Sequence, residues 1–289
     1  MDDVVKIKGY NGSMTNSDAR APHVLGDSAP AWQALLIGGV SGTGKSTVAE
    51  QLARRFAVPW IQADLFRLAL QHSRATLPRG NEALYLFWDR PDVWQLPTEQ
   101  LRDGLIATGE AMSPALEIVT ASHVDHAGPM VLEGDSILPS LRDYPLLRER
   151  VADGQVALVF LVEPDEDILL GNMLARGRGM EARRAVEHRA EAHAKWVFGQ
   201  WLTIEAKRYG LPVLTPEPWD TLGERILAVV ARYCPLVLAI TRREGVVSGC
   251  NGVGVSDAVI LTVDDNFPTA TAPYARFCGL LRRALCPMV

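Results

Sequence analysis

Lysine is scarce in this chain of 289 residues: only Lys6, Lys8, Lys45, Lys195 and Lys207, against 24 arginines. With 34 acidic residues the formal net charge is −5, which excludes the broad positive field that nonspecific nucleic-acid binding needs. Long apolar runs are missing too. The longest candidate, 226–240, is interrupted by Arg232 and Pro235 and falls short of the roughly 18 residues a membrane span requires. The first twenty residues are polar and lack an apolar core, so no secretory leader is expected. Cysteine is sparse: Cys234, Cys250, Cys278 and Cys286 all lie in the last fifth, without the close pairs of a zinc site. These absences predict a cytoplasmic protein with no membrane or nucleic-acid partner and free thiols. At 48% hydrophobic and 22% charged residues, the composition is that of a globular chain.

What is present is a rhythm of short apolar runs and amphipathic stretches. Residues 1–30 are rich in Gly, Ser, Asn, Asp and Pro without periodicity and read as a flexible lead-in. Short apolar runs at 32–37, 58–61, 129–132, 156–162 and 211–214 have the length and content of buried parallel strands. Helical patterns separate them: 46–56, then 65–73, 81–88 and 98–124, then helix, Arg-rich turn and helix over 165–209, and finally 221–233. Pro91, Pro97 and Pro114 are expected to break or kink the 65–128 stretch. Strands alternating with helices imply an α/β fold: a five-stranded parallel sheet covered on both faces, a three-layer sandwich. The expected organisation is a domain over 31–234, with a helical insert at 65–128 and an Arg-rich segment at 175–190. An extension of unknown structure, 235–289, carries one strand-like run at 258–263.

The residues Gly39-Val-Ser-Gly-Thr-Gly44-Lys45-Ser46 match the phosphate-loop pattern G-x-x-x-x-G-K-[ST], with a further glycine at Gly42. The pattern has a mechanism. Glycines let backbone N–H groups converge on phosphate oxygens, and the following helix adds its partial positive charge. Gly39, Ser41, Gly42, Thr43, Gly44, Lys45, Ser46 and Thr47 are therefore the candidate ATP cradle. Lys45 would reach the β- and γ-phosphates, and the Ser46 hydroxyl would ligate Mg²⁺. A strand before the loop and an amphipathic helix after it strengthen the match.

Other strand ends add weaker candidates, because open α/β sheets bind ligands at the carboxyl ends of their strands. Asp64 follows the second run and Glu133 the third. Either carboxylate could hold Mg²⁺ or orient an acceptor hydroxyl. The alternatives are a helix N-cap for Asp64 and a turn residue for Glu133. Arg67, three residues beyond Asp64, could pair with it or grip an anionic substrate. Arg176 and Arg178 flank a glycine and suit neutralisation of a transferring phosphoryl group, whereas Arg183, Arg184 and Arg189 read as a solvated helix face. His123 and His126 lack the further ligands of a metal site. Tyr85, Phe87, Trp88 and Trp94 read as core or pocket wall.

With these residues in hand, the chain resembles small P-loop kinases of the nucleoside-monophosphate-kinase type, and among them 2-phosphoglycerate-kinase-like proteins. The matching segments are IGGVSGTGKST (37–47), WIQADLFR (60–67), PMVLEGDSILP (129–139), ALVFLVEPDEDILLGNMLARGRG (157–179) and YGLPVLTPEP (209–218). The resemblance covers about 32–232. It implies the P-loop NTPase fold, ATP and Mg²⁺ as cofactors, and a small-molecule phosphoryl acceptor. It further implies acceptor-side roles for Asp64 and Arg67, a strand-end carboxylate at Glu133, and lid arginines at Arg176 and Arg178. Asp135-Ser136 after Glu-Gly departs from the expected pattern, and the tail has no counterpart. The expected activity is transfer of the ATP γ-phosphoryl group to an anionic metabolite, a 2-phosphoglycerate-like acid. The alternative is a regulatory ATPase module that signals to a protein partner through its tail.

Overall fold

The computed structural model describes residues 29–73, 82–176 and 185–233. The lead-in up to 28, the tail from 234 with all four cysteines, and Arg178, Arg183 and Arg184 lie outside the described residues. Five strands form one sheet: β1 (Ala34–Gly39), β2 (Trp60–Gln62), β3 (Met130–Gly134), β4 (Val156–Leu161) and β5 (Val213–Leu214). Their order is β2-β3-β1-β4-β5, and every pairing is parallel. The helices are α1 (Lys45–Phe56), α2 (Ala63–His72), α3 (Leu86–Asp89), α4 (Thr98–His126), α5 (Arg148–Ala152), α6 (Glu166–Ala175), α7 (Ala185–Arg208) and α8 (Leu222–Tyr233).

Side-chain alternation along the strands divides the core in two. Leu35, Ile37, Val131, Val159 and Leu161 face Val48, Ala49 and Leu52 of α1 and Ile226 and Val230 of α8. Leu36, Leu132, Leu158 and Phe160 face the other way, onto Met112 and Leu116 of α4 and Phe198 and Leu202 of α7. Because both faces are covered, the three central strands are buried at every position, and so they read as continuous apolar runs. This is the three-layer α/β P-loop fold.

The prolines act unequally. Pro97 is the N-cap of α4, where a missing N–H costs nothing. Pro114 does not break the stretch, since α4 runs unbroken through it for 29 residues. The helix tolerates the lost hydrogen bond because its residues 112, 116, 120 and 121 are buried against neighbouring elements. Phe87 and Trp94 pack together at 5.3 Å and join Val93, Leu101 and Ala194 in a small apolar cluster.

Candidate active site

The chain leaves β1 for β2 at one edge and leaves β3 for β4 across β1, so the strand order reverses around β1. Such a switch opens a crevice at the carboxyl ends of the strands. The phosphate loop occupies it. Gly44 is the N-cap of α1 with φ 71°, and the six-membered edge of the Trp219 indole lies where a Cβ would stand. Gly42 has φ 91°, with Leu169 3.1 Å from the place of a Cβ. Both positions therefore call for glycine. No side chain caps α1 and no acidic residue stands in its first turn, which leaves that terminus suited to an anion.

Register explains the next contact. Ile37 of β1 pairs with Glu133 of β3, so the Glu133 side chain rises on the α1 face beside the loop. Its Oε1 accepts a hydrogen bond from the Ser46 hydroxyl at 2.8 Å. Burial pushes the Glu133 carboxyl above the usual glutamate range; the Lys45 charge and the Ser46 bond oppose that shift without cancelling it. A buried carboxylate oxygen beside a hydroxyl is a hard oxygen donor pair, and it fits Mg²⁺, which takes one or two carboxylates plus phosphate oxygens and water. Among the described residues no group of three or more His, Cys, Asp or Glu could hold a metal by itself.

Lys45 is 5% exposed. Its ammonium donates to the Val40 carbonyl at 2.8 Å and pairs with Asp135 Oδ1 at 2.7 Å. The other Asp135 oxygen accepts from the Ser41 hydroxyl, also at 2.7 Å. Burial by itself would raise the Asp135 carboxyl; Lys45 and Lys195, with these two hydrogen bonds, override it and hold the group well below the usual aspartate range. Thr43 is buried and turned inward, its hydroxyl donating to the Val40 carbonyl at 2.8 Å, so it braces the loop. Thr47 is exposed on α1 and does not line the cleft.

The cleft has a volume of about 180 Å³. Its loop side carries Ser41, Lys45, Ser46, Glu133 and Asp135, with Gln62 and Asp64 beside them. Asp64 lies in the first turn of α2 and Gln62 is the N-cap, so Asp64 does not cap that helix with its side chain. Its Oδ1 accepts from Arg67 at 3.3 Å, and Arg67 meets the cleft only through this ion pair. The opposite wall is helical. Leu170, Met173 and Leu174 of α6 and Arg176 just beyond it face His188, Glu191 and Lys195 of α7. Lys195 pairs with Glu191 at 2.8 Å, each 12% exposed. His188 is buried, and its Nε2 has no hydrogen-bond partner.

The structure thus brings together Ser41, Lys45, Ser46, Asp64, Glu133 and Arg176. It adds Asp135, His188, Glu191 and Lys195, which sequence reasoning missed. A signal for the last three was available: positions 188, 191 and 195 recur at helical spacing, and Lys195 is one of only five lysines. The support behind the loop was less legible. Arg225 of α8 donates to the carbonyls of Thr215, Pro216 and Pro218 at 2.8–3.0 Å, fixing the segment that sets Trp219 against Gly44. Away from the cleft, His193 pairs with Glu166 at 3.1 Å, His126 with the Ser122 carbonyl and Asp125 with Arg150 at 2.8 Å, while the buried Nε2 of His123 has no hydrogen-bond partner.

Sheet order, loop and strand-end carboxylates together define an α/β P-loop protein. Comparison with known proteins agrees with the resemblance drawn from the motifs. The chain is 27% identical over 190 residues to a 2-phosphoglycerate kinase of Methanothermobacter thermautotrophicus, covering 62% of this chain and 59% of the relative. It is 25% identical over 191 residues to a 2-phosphoglycerate kinase of Methanocaldococcus jannaschii, covering 62% and 57%. A third protein of that name, from Methanopyrus kandleri, is 23% identical over 205 residues, covering 68% and 60%. The match thus spans less than two thirds of the length of these curated relatives. No protein-family model matches the chain. Among solved structures, a gluconokinase from Sinorhizobium meliloti is 20% identical with a TM-score of 0.39, covering 72% of this chain and 97% of the other. A shikimate kinase from Acinetobacter baumannii is 12% identical with a TM-score of 0.36, covering 72% and 93%. Among the described residues no helix is long and apolar enough to cross a membrane.

Proposed function

We propose that residues 31–234 form an ATP-dependent phosphotransferase that moves the γ-phosphoryl group of ATP to a hydroxyl of a small anionic acid, with 2-phosphoglycerate as the first acceptor to test. The observation that carries this reading is the side-by-side placement of Lys45 and the Ser46–Glu133 pair at the mouth of a cleft that continues past the loop. A module that only hydrolysed ATP would have no use for that continuation. The similarity to proteins named 2-phosphoglycerate kinase supports the choice of acceptor.

Phosphoryl transfer asks a protein for position and charge more than for covalent chemistry. Loop amides and Lys45 would bind the β- and γ-phosphates, Lys45 acting as a compact point charge. Ser46 and Glu133 would hold Mg²⁺, which when bound offsets the charge developing on the phosphate oxygens. Asp64 would orient the acceptor hydroxyl in line with the γ-phosphorus. Arg176 at the cleft and Lys195 on α7 would face the anionic groups of donor and acceptor, with Arg67 steadying Asp64.

The test is a transfer screen with γ-labelled ATP and a panel of phosphorylated and carboxylated hydroxy acids. Label should appear on at least one of them, 2-phosphoglycerate first. ATP binding with no labelled acceptor across the panel would overturn the reading and favour the regulatory ATPase.

A further inference from the structure

The Asp135 carboxylate spends both oxygens on the phosphate loop, Oδ1 on the Lys45 ammonium and Oδ2 on the Ser41 hydroxyl, each at 2.7 Å. Lys45 is buried, and a buried ammonium needs an anion. These are side chains a phosphate loop presents to a triphosphate. A carboxylate and a phosphate cannot both sit against one ammonium without like-charge repulsion, which is strong at separations of about 4 Å away from bulk water. Glu133, bonded to Ser46 next door, adds a further negative charge to the same end of the cleft.

We propose that Asp135 is a positioning residue that competes with the nucleotide: its carboxylate holds Lys45 and Ser41 at the place of the terminal phosphates and must give way when ATP binds. The arrangement keeps the lysine paired and aimed. Its consequence is weaker nucleotide binding than the loop alone would give, concentrated on the β- and γ-phosphates. The claim rests on the kinase reading only for the identity of the nucleotide.

The test compares the full-length protein with Asp135→Asn, which keeps the shape and removes the charge, and Asp135→Glu, which keeps the charge. Equilibrium binding is measured for ATP, AMP and inorganic pyrophosphate by calorimetry, with circular dichroism as the check on folding. Asp135→Asn should bind ATP and pyrophosphate about tenfold more tightly, a gain equivalent to about 1.4 kcal/mol. AMP, which lacks the β- and γ-phosphates, should change by less than about twofold, and Asp135→Glu should stay near wild type. Should the Asn variant fail to fold, Asp135→Ser carries the same expectation. Unchanged or weaker ATP and pyrophosphate binding in the neutral variant overturns the proposal. So does an AMP gain as large as the ATP gain, which would mark a general change in the loop. Pyrophosphate separates this outcome from failure of the kinase reading. Tighter pyrophosphate binding with no acceptor phosphorylated would uphold the role of Asp135 and sink the transferase, whereas no anion binding by any form would overturn both.

Discussion

The two walls of the cleft are built by different means. On the loop side, Ser41, Lys45, Ser46, Glu133 and Asp135 sit at the ends of two adjacent buried strands, braced by backbone carbonyls and by each other at 2.7–2.8 Å. On the helical side, Arg176, His188, Glu191 and Lys195 come from α7 and the end of α6 and face one another across the apolar residues Leu170 and Met173. The first wall is tied to the sheet, so its geometry is as rigid as the core behind it. The second depends on how two helices lie. Under the proposed transferase reading, the loop wall would carry the phosphate chemistry and the helical wall would bear on acceptor choice.

Within the loop wall the two carboxylates differ just as instructively. Glu133 and Asp135 stand two residues apart, yet burial raises one, while two lysines and two hydrogen bonds lower the other. A raised carboxyl opposes folding when ionised. A lowered one supports it, and that support is lost as pH falls through the folded-state value.

Substitutions can break this division. Lys45→Ala should have the largest effect, lowering kcat by about 10³-fold or more with the fold retained, since it removes the point charge on the transferring group. Steady-state kinetics with circular dichroism would show it, and near-normal turnover would void the assignment of the loop wall. Glu133→Gln comes next, with kcat down by about 10²-fold at saturating Mg²⁺. Its melting temperature at neutral pH should rise, because the substitution removes a buried charge that costs stability above its raised titration point. The same shift predicts that Mg²⁺ binding to the free protein weakens on the acid side at a higher pH than an ordinary glutamate would dictate, as a metal titration against pH would show. Lys195→Met should raise the acceptor KM about tenfold and leave the ATP KM within about twofold. Equal effects on both would merge the two walls into one site. Smallest is Thr47→Ala, exposed on α1 and outside the cleft, which should change stability by less than about 0.5 kcal/mol and turnover hardly at all.

Legibility in the sequence follows the same division. The loop was readable because its mechanism depends on contiguous residues, and Glu133 because a strand end is a local event. The sheet announced itself through runs such as 156–162, buried on both faces. Asp135 was visible only as a departure from an expected pattern, because its role rests on side-chain contacts with Ser41, 94 residues earlier, and with Lys45. The helical wall was missed because α7 is buried on several sides. Its residues 188, 192, 194, 198, 199, 202 and 206 are buried around much of its circumference, which hides the stripe that would single out the polar face of 188, 191 and 195. Pro114 leaves α4 unbroken for a related reason: packing along the helix outweighs the local cost of one proline.

The central claim is that this cleft moves a phosphoryl group from ATP to a small acid. It is tested most directly by ³¹P NMR of the wild-type protein with ATP, Mg²⁺ and 2-phosphoglycerate. Loss of the ATP γ-phosphate signal should be matched by a new phosphomonoester signal on a doubly phosphorylated glycerate, absent with Lys45→Ala. Conversion of ATP to ADP and free phosphate with the glycerate signal unchanged would contradict it.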